Sequence, residues 1–149
     1  MIYKTDYHIH SSYSDGRSSP EDYIPPAIAA GLSEIGFSEH LTLFKDLEDW
    51  NMNPVNISPY INHIETLRNK IKNIKIKTGL EVDFFAGKEK GIKDFLSPLP
   101  LDYIIGSVHY LGEKTVDGDR NFMKERALTD YLNHILILFV VLLHQDYLT

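Results

Sequence analysis

The chain predicts an α/β protein built around a mainly parallel sheet. Three observations lead there. Stretches of period-two apolar alternation follow stretches with apolar residues three and four apart, so strand and helix succeed one another. His10, His40, Glu81, His109 and His144, all side chains that can bind metal, stand at or near the ends of successive predicted strands. In parallel α/β folds sites form at that end, because strand termini and the loops that follow converge there. Finally, 149 residues with 43% apolar content suit one domain with its own core, and no linker divides residues 1–149.

The first strand spans Tyr3 to Ile9 and leads into His10. A side-chain period of two sets Asp6, His8 and His10 on one face, where two neighbouring imidazoles can grip one ion. A polar loop from Ser11 to Ser19 carries Ser14-Asp15-Gly16. Taken alone, Asp15-Gly16 is also a plain turn signal. Ser19 then caps a helix, with Pro20 at its first position, Glu21 and Asp22 in the first turn, and Gly31 as the stop. Pro25-Pro26 forbids a regular helix there, which predicts a short kinked segment.

A buried second strand, Glu34 to Ser38, ends at Glu39-His40. The loop from Leu41 to Ile57 holds the one tryptophan, Trp50, and has the length of a lid or binding loop. Ser58-Pro59 caps a helix whose stripe is Ile61, Ile64, Leu67, Ile71 and Ile74. Alternation of Ile76, Thr78, Leu80 and Val82 marks a third strand that runs into Gly79-Leu80-Glu81-Val82-Asp83. A short helix from Lys88 to Ser97 is broken by Pro98 and Pro100. The fourth strand, Leu101 to Val108, carries Gly106-Ser107-Val108-His109. A polar loop from Tyr110 to Asn121, a helix from about Lys124 to Ile137 and a fifth strand from about Leu138 to Leu143 lead to His144.

Charge and composition narrow the chemistry. A net charge of -6 argues against a nucleic-acid surface. It leaves room for a phosphorylated small molecule, because bound cations supply local positive charge. With no cysteine there are no disulfides and no thiolate sites, so any metal must sit on His, Asp and Glu. The N-terminus lacks the apolar core of a signal peptide, and the apolar run from Ile135 to Leu143 falls short of the ~20 residues a spanning helix needs. A soluble cytoplasmic protein without membrane contact is the expectation; the oligomeric state is not legible. His63 and His134 read as surface or boundary residues of helices, and the lysines from Lys70 to Lys77 as a solvated helix end. Trp50 reads equally as a pocket wall or as packing.

Taken together, Asp6-x-His8-x-His10, Ser14-Asp15-Gly16, Glu39-His40, Gly79-Leu80-Glu81 and Gly106-Ser107-Val108-His109 resemble the polymerase-and-histidinol-phosphatase (PHP) superfamily, most closely its histidinol-phosphatase branch. The likeness covers Tyr3 to about Tyr110 with the motifs in order. It implies a distorted (β/α)7 barrel of TIM-like type, present here as about five βα units. It implies a trinuclear cluster of divalent ions (Zn, Mn or Fe) at the strand ends, hydrolysing a phosphate monoester. Carried over, His8 and His10 hold the first ion, Glu81 bridges the first and second, His109 joins the second, and Asp15 and His40 hold the third. Asp6 would orient a ligand histidine. Asp15 and His40 would also assist proton transfer to the leaving alkoxide, and Arg17 could meet phosphate. The substrate implied is L-histidinol phosphate, in histidine biosynthesis; a nucleotide phosphoester is the alternative.

Two departures stand out. Leu143-His144-Gln145-Asp146 resembles the family's Gly-His-x-Asp motif with leucine in place of glycine, which makes His144 a further ligand candidate for the second ion. No Asp-x-His pair follows it, although family members use one to complete the first and third sites. The expectation is therefore a chain shortened at its C-terminal side, with a fragment that binds metal without turnover as a third reading.

Overall fold

The computed structural model describes residues 4–111 and 114–115. They fall into two compact units, one ending at Ser107 and one beginning at Val108. In the first unit, β1 (Thr5–Ile9) leads through a 3-10 turn (Pro20–Tyr23) into α1 (Ile24–Ala29) and β2 (Glu34–Leu41). A second 3-10 turn (Pro54–Asn56) opens α2 (Ile57–Lys70), followed by β3 (Lys75–Asp83), α3 (Glu89–Leu96) and β4 (Tyr103–Ser107). The strand pairs of this four-stranded sheet are parallel and their order is β1-β2-β3-β4, the succession of βα units that the sequence predicts. In the second unit, β5 (Tyr110–Leu111) and β6 (Lys114–Thr115) pair antiparallel. The sequence predicts only loop there; strands separated by two residues have the spacing of a tight hairpin. The predicted helix over 124–137, the fifth strand over 138–143 and His144 lie outside the described residues.

The 3-10 turn and α1 form the kinked segment expected from Pro25-Pro26. The Ser19 backbone N–H and hydroxyl both donate to the Asp22 carboxylate, which ties the cap to the first turn. Gly31, at φ +74°, ends the segment in the left-handed region that glycine enters without a Cβ penalty.

β2 extends past Ser38 to Leu41, three residues further than the sequence predicts. Parallel pairing is the reason: Glu39, His40 and Leu41 stand opposite Leu80, Glu81 and Val82. His40 therefore lies inside a strand, across from Glu81. α2 starts at Ile57, and Pro59 falls in its first turn, where a missing N–H costs nothing. The helix stops at Lys70, and Ile71 is already extended to enter β3. The buried face is accordingly Ile57, Tyr60, Ile64 and Leu67, one turn earlier than the predicted stripe.

That face packs on Ile35, Phe37, Leu41, Ile76, Leu80 and Val82 of the two central strands. The Tyr60 hydroxyl, buried among them, lies 2.9 Å from the Phe37 carbonyl oxygen and 2.8 Å from that of Gly79. Across the sheet Tyr103 lies over Gly36 and Gly79; a Cβ would stand 2.4 Å from its hydroxyl oxygen at Gly36 and 2.4 Å from its ring at Gly79. No helix among the described residues is long and apolar enough to cross a membrane.

Candidate metal centre

The C-terminal ends of β1, β2 and β3 bring three imidazoles to one carboxylate. Glu81 Oε2 lies 2.8 Å from His8 Nε2, 3.3 Å from His10 Nε2 and 3.3 Å from His40 Nδ1. Strand pairing does this work. Register sets His40 beside Glu81, and β1 runs alongside β2 on its other flank. The register of β1 against β2 shifts between Asp6 and Ile9, an irregularity that re-aims side chains next to a site. His8 and His10 nevertheless both reach Glu81.

The His10 and His40 rings stack with centroids 4.1 Å apart and planes 7° from parallel. Asp15 comes in from the loop after β1, its Oδ1 3.7 Å from His40 Nε2. Two sets of donors thus share residues. His8, His10 and Glu81 form one, and His10, Asp15 and His40 the other, with donor atoms inside each set within 4.8 Å of one another. Imidazole nitrogen plus carboxylate oxygen is the donor set that borderline divalent ions take. His10 Nδ1 is buried without a hydrogen-bond partner among the described residues. Glu81 is only 5% exposed in its side chain, whereas His8 is 54% exposed, so the cluster has a sealed floor and an open rim.

An open cavity of about 550 Å³ adjoins the cluster, lined in part by Asp6, His8, His10, Asp15, Arg17 and Tyr23. Arg17 stands on the wall of this space, beside the ligand candidates. The Asp6 carboxylate accepts from the His8 backbone N–H at 3.0 Å, so it holds the backbone of a ligand candidate. His109 belongs to the second unit, two residues beyond β4. His63 is half-buried, with Nδ1 3.2 Å from the Tyr13 hydroxyl and Nε2 3.1 Å from Glu21, so it ties a loop to a helix.

Three features have partners that the motifs do not announce. Trp50 presents its ring perpendicular to His40, centroids 5.0 Å apart, which makes it a wall of the cluster. Buried Asp83 accepts from Thr42 Oγ1 and, at 3.3 Å, from Ser107 Oγ. Thr42 Oγ1 also lies 2.8 Å from the Asn51 amide oxygen. One hydroxyl proton cannot serve both acceptors. Turning the Asn51 amide lets Nδ2 donate to Thr42 while Thr42 donates to Asp83, which moves the buried position without a partner among the described residues from Nδ2 to the amide oxygen. The third is Glu39, fully buried next to His40. A carboxylate that alternates with Phe37 and Leu41 on the core face of the strand is the available signal.

A parallel α/β sheet with histidines and a buried glutamate meeting at its strand ends defines a metal-site protein of barrel type. Residues 6–147 match the model of the PHP domain, and the chain belongs to that family. It is 36% identical over 135 residues to a histidinol-phosphatase of Lactococcus lactis subsp. lactis, covering 87% of this chain and 49% of the relative. A histidinol-phosphatase of Bacillus subtilis is 34% identical over 137 residues, covering 82% of this chain and 51% of the relative. Among solved structures, histidinol phosphate phosphatase from Lactococcus lactis, complexed with zinc, L-histidinol and phosphate, superposes with a TM-score of 0.82. Its identity is 30%, with 99% of this chain and 56% of that chain covered. The chain thus spans about half the length of the curated relatives it matches.

Proposed function

We propose that this chain carries the metal-binding core of a phosphomonoesterase that converts L-histidinol phosphate to L-histidinol and phosphate, a step of cytoplasmic histidine biosynthesis. The observation behind it is the meeting of His8, His10 and His40 on Glu81, with Asp15 beside His40, in a chain similar to histidinol-phosphatases. In this reading residues 1–149 are one domain. His8, His10 and Glu81 would hold one divalent ion, and Asp15 and His40 would hold another, while the resemblance offers His109 and His144 as further ligand candidates. Zinc, manganese and iron all suit these donors. When bound, such ions activate water and neutralise phosphoryl oxygens.

The side chains do the rest. Arg17 reaches phosphate oxygens from the cavity wall, where a guanidinium fork matches two of them at once. In the reaction, the oxygen of water bonds to phosphorus, the ester P–O bond breaks, and the leaving alkoxide takes a proton. Asp15, 46% exposed in its side chain, stands at the rim where that oxygen departs, and His40 backs it. Trp50 closes the side of His40 against solvent.

Phosphate release from L-histidinol phosphate, set beside nucleotide mono- and bisphosphates, tests the reading on the purified chain supplied with Zn²⁺ or Mn²⁺. Release from histidinol phosphate first among these is expected; release from nucleotides alone would overturn the substrate. The second reading, metal binding without turnover, is favoured by the place of β1 at the edge of the sheet among the described residues, where His8 is more than half exposed. Bound zinc with no phosphate release from any substrate would select it.

A further inference from the structure

We propose that Glu39 is a positioning residue whose buried carboxylate holds the loop that delivers Asp15 to His40. The inference rests on the reading of Asp15 and His40 as metal ligands.

β2 is in regular register with β3, so consecutive residues alternate faces. His40 points to the metal cluster and Glu39 to the other side, where Phe37 and Leu41 join the core. A carboxylate at such a place is costly unless its oxygens are fully bonded. The donors that serve it come from one short segment. Ser11 N–H lies 3.0 Å from both oxygens, Ser11 Oγ 2.5 Å from Oε1, and Ser14 Oγ 2.5 Å from Oε2. Glu39 is 0% exposed, as is Ser11.

These bonds bracket the turn in front of Asp15. Ser14 N–H and Gly16 N–H both donate to Ser11 O at 3.0 Å, closing the loop over its own start. Gly16 lies so close to His10 and Ser11 that a Cβ there would stand 2.2 Å from His10 O. Tyr13 pins the far side through His63. The loop leaves β1 on one face of β2, is gripped by Glu39, and returns Asp15 to His40 on the other face. A glutamate and a histidine adjacent in sequence thus act on the same ligand pair from opposite sides of the strand.

The test is zinc affinity of the full chain by calorimetric titration, in a double-mutant cycle of Glu39→Ala with Asp15→Asn. Melting temperature is read on every variant. Glu39→Ala is expected to weaken zinc binding by about 10- to 100-fold, the range seen when groups supporting metal ligands are removed. In the Asp15→Asn background the same substitution is expected to change affinity hardly at all, because the ligand it positions is gone. Should Glu39→Ala fail to fold, Ser14→Ala removes one bond from a half-buried hydroxyl and is expected to cost about fivefold in affinity, one net hydrogen bond, again only when Asp15 is present. Independent, multiplying losses would overturn the proposal, as would a lowered melting temperature with wild-type zinc affinity. A wild-type chain that binds no zinc fails differently: it removes the metal-site reading itself.

Discussion

Tyr60→Phe removes one oxygen from the centre of the first unit and leaves the ring in place. Tyr60 is fully buried, and its single hydroxyl proton faces two carbonyls, Phe37 O at 2.9 Å and Gly79 O at 2.8 Å. These residues belong to β2 and β3, so the phenol staples the two strands just before the rung that sets His40 opposite Glu81. Both carbonyls also belong to sheet strands, and Phe37 O accepts the Tyr103 hydroxyl at 2.9 Å. Losing the phenol therefore forfeits one net neutral hydrogen bond, about 0.5–1.5 kcal/mol. Truncation to alanine would add an emptied aromatic site, about 3–5 kcal/mol. Urea unfolding followed by Trp50 fluorescence measures the difference. The sign of its pH dependence also follows. Burial raises the Tyr60 phenol well above its ordinary value. A group whose folded pKa is raised contributes stability that is present below its unfolded pKa, about 10, and is lost as pH rises through the folded value. The gap between wild type and Tyr60→Phe should hold through neutral pH and narrow only in strong alkali. A Tyr60→Phe chain as stable as wild type, or one that loses as much as Tyr60→Ala, would refute the reasoning.

Zinc at 100 times its dissociation constant should stabilise the chain by about 2.7 kcal/mol, seen as a rise in melting temperature that EDTA reverses. Glu81→Gln, which removes the charge that His8, His10 and His40 share, should abolish that rise and phosphate release together. Gly16→Ala forces a Cβ against the His10 and Ser11 backbone, which cannot yield as a side chain would. It should cost about 1–3 kcal/mol by the measure of overpacking and lower zinc affinity more than a surface alanine elsewhere, by denaturation and titration respectively.

The sequence by itself determined the order of the βα units, the kink at Pro25-Pro26, the stop at Gly31, and the candidates His8, His10, Asp15, His40 and Glu81. These depend on local rules: side-chain period, the fixed φ of proline, the freedom of glycine, and donor chemistry. Only the tertiary structure decided how far β2 runs, because its last rungs exist through pairing with β3. It decided which face of α2 is buried, since the chain must leave the helix at Ile71 to enter β3. It also decided that Asp6 meets the His8 backbone N–H and that Trp50 walls His40. Glu39 is the sharpest case. One residue from a ligand candidate, it reads in sequence as part of a motif. Its partners, Ser11 and Ser14, lie 28 and 25 residues away and converge on it only when β1 and β2 lie side by side. Contacts of that separation have no periodicity or spacing to announce them.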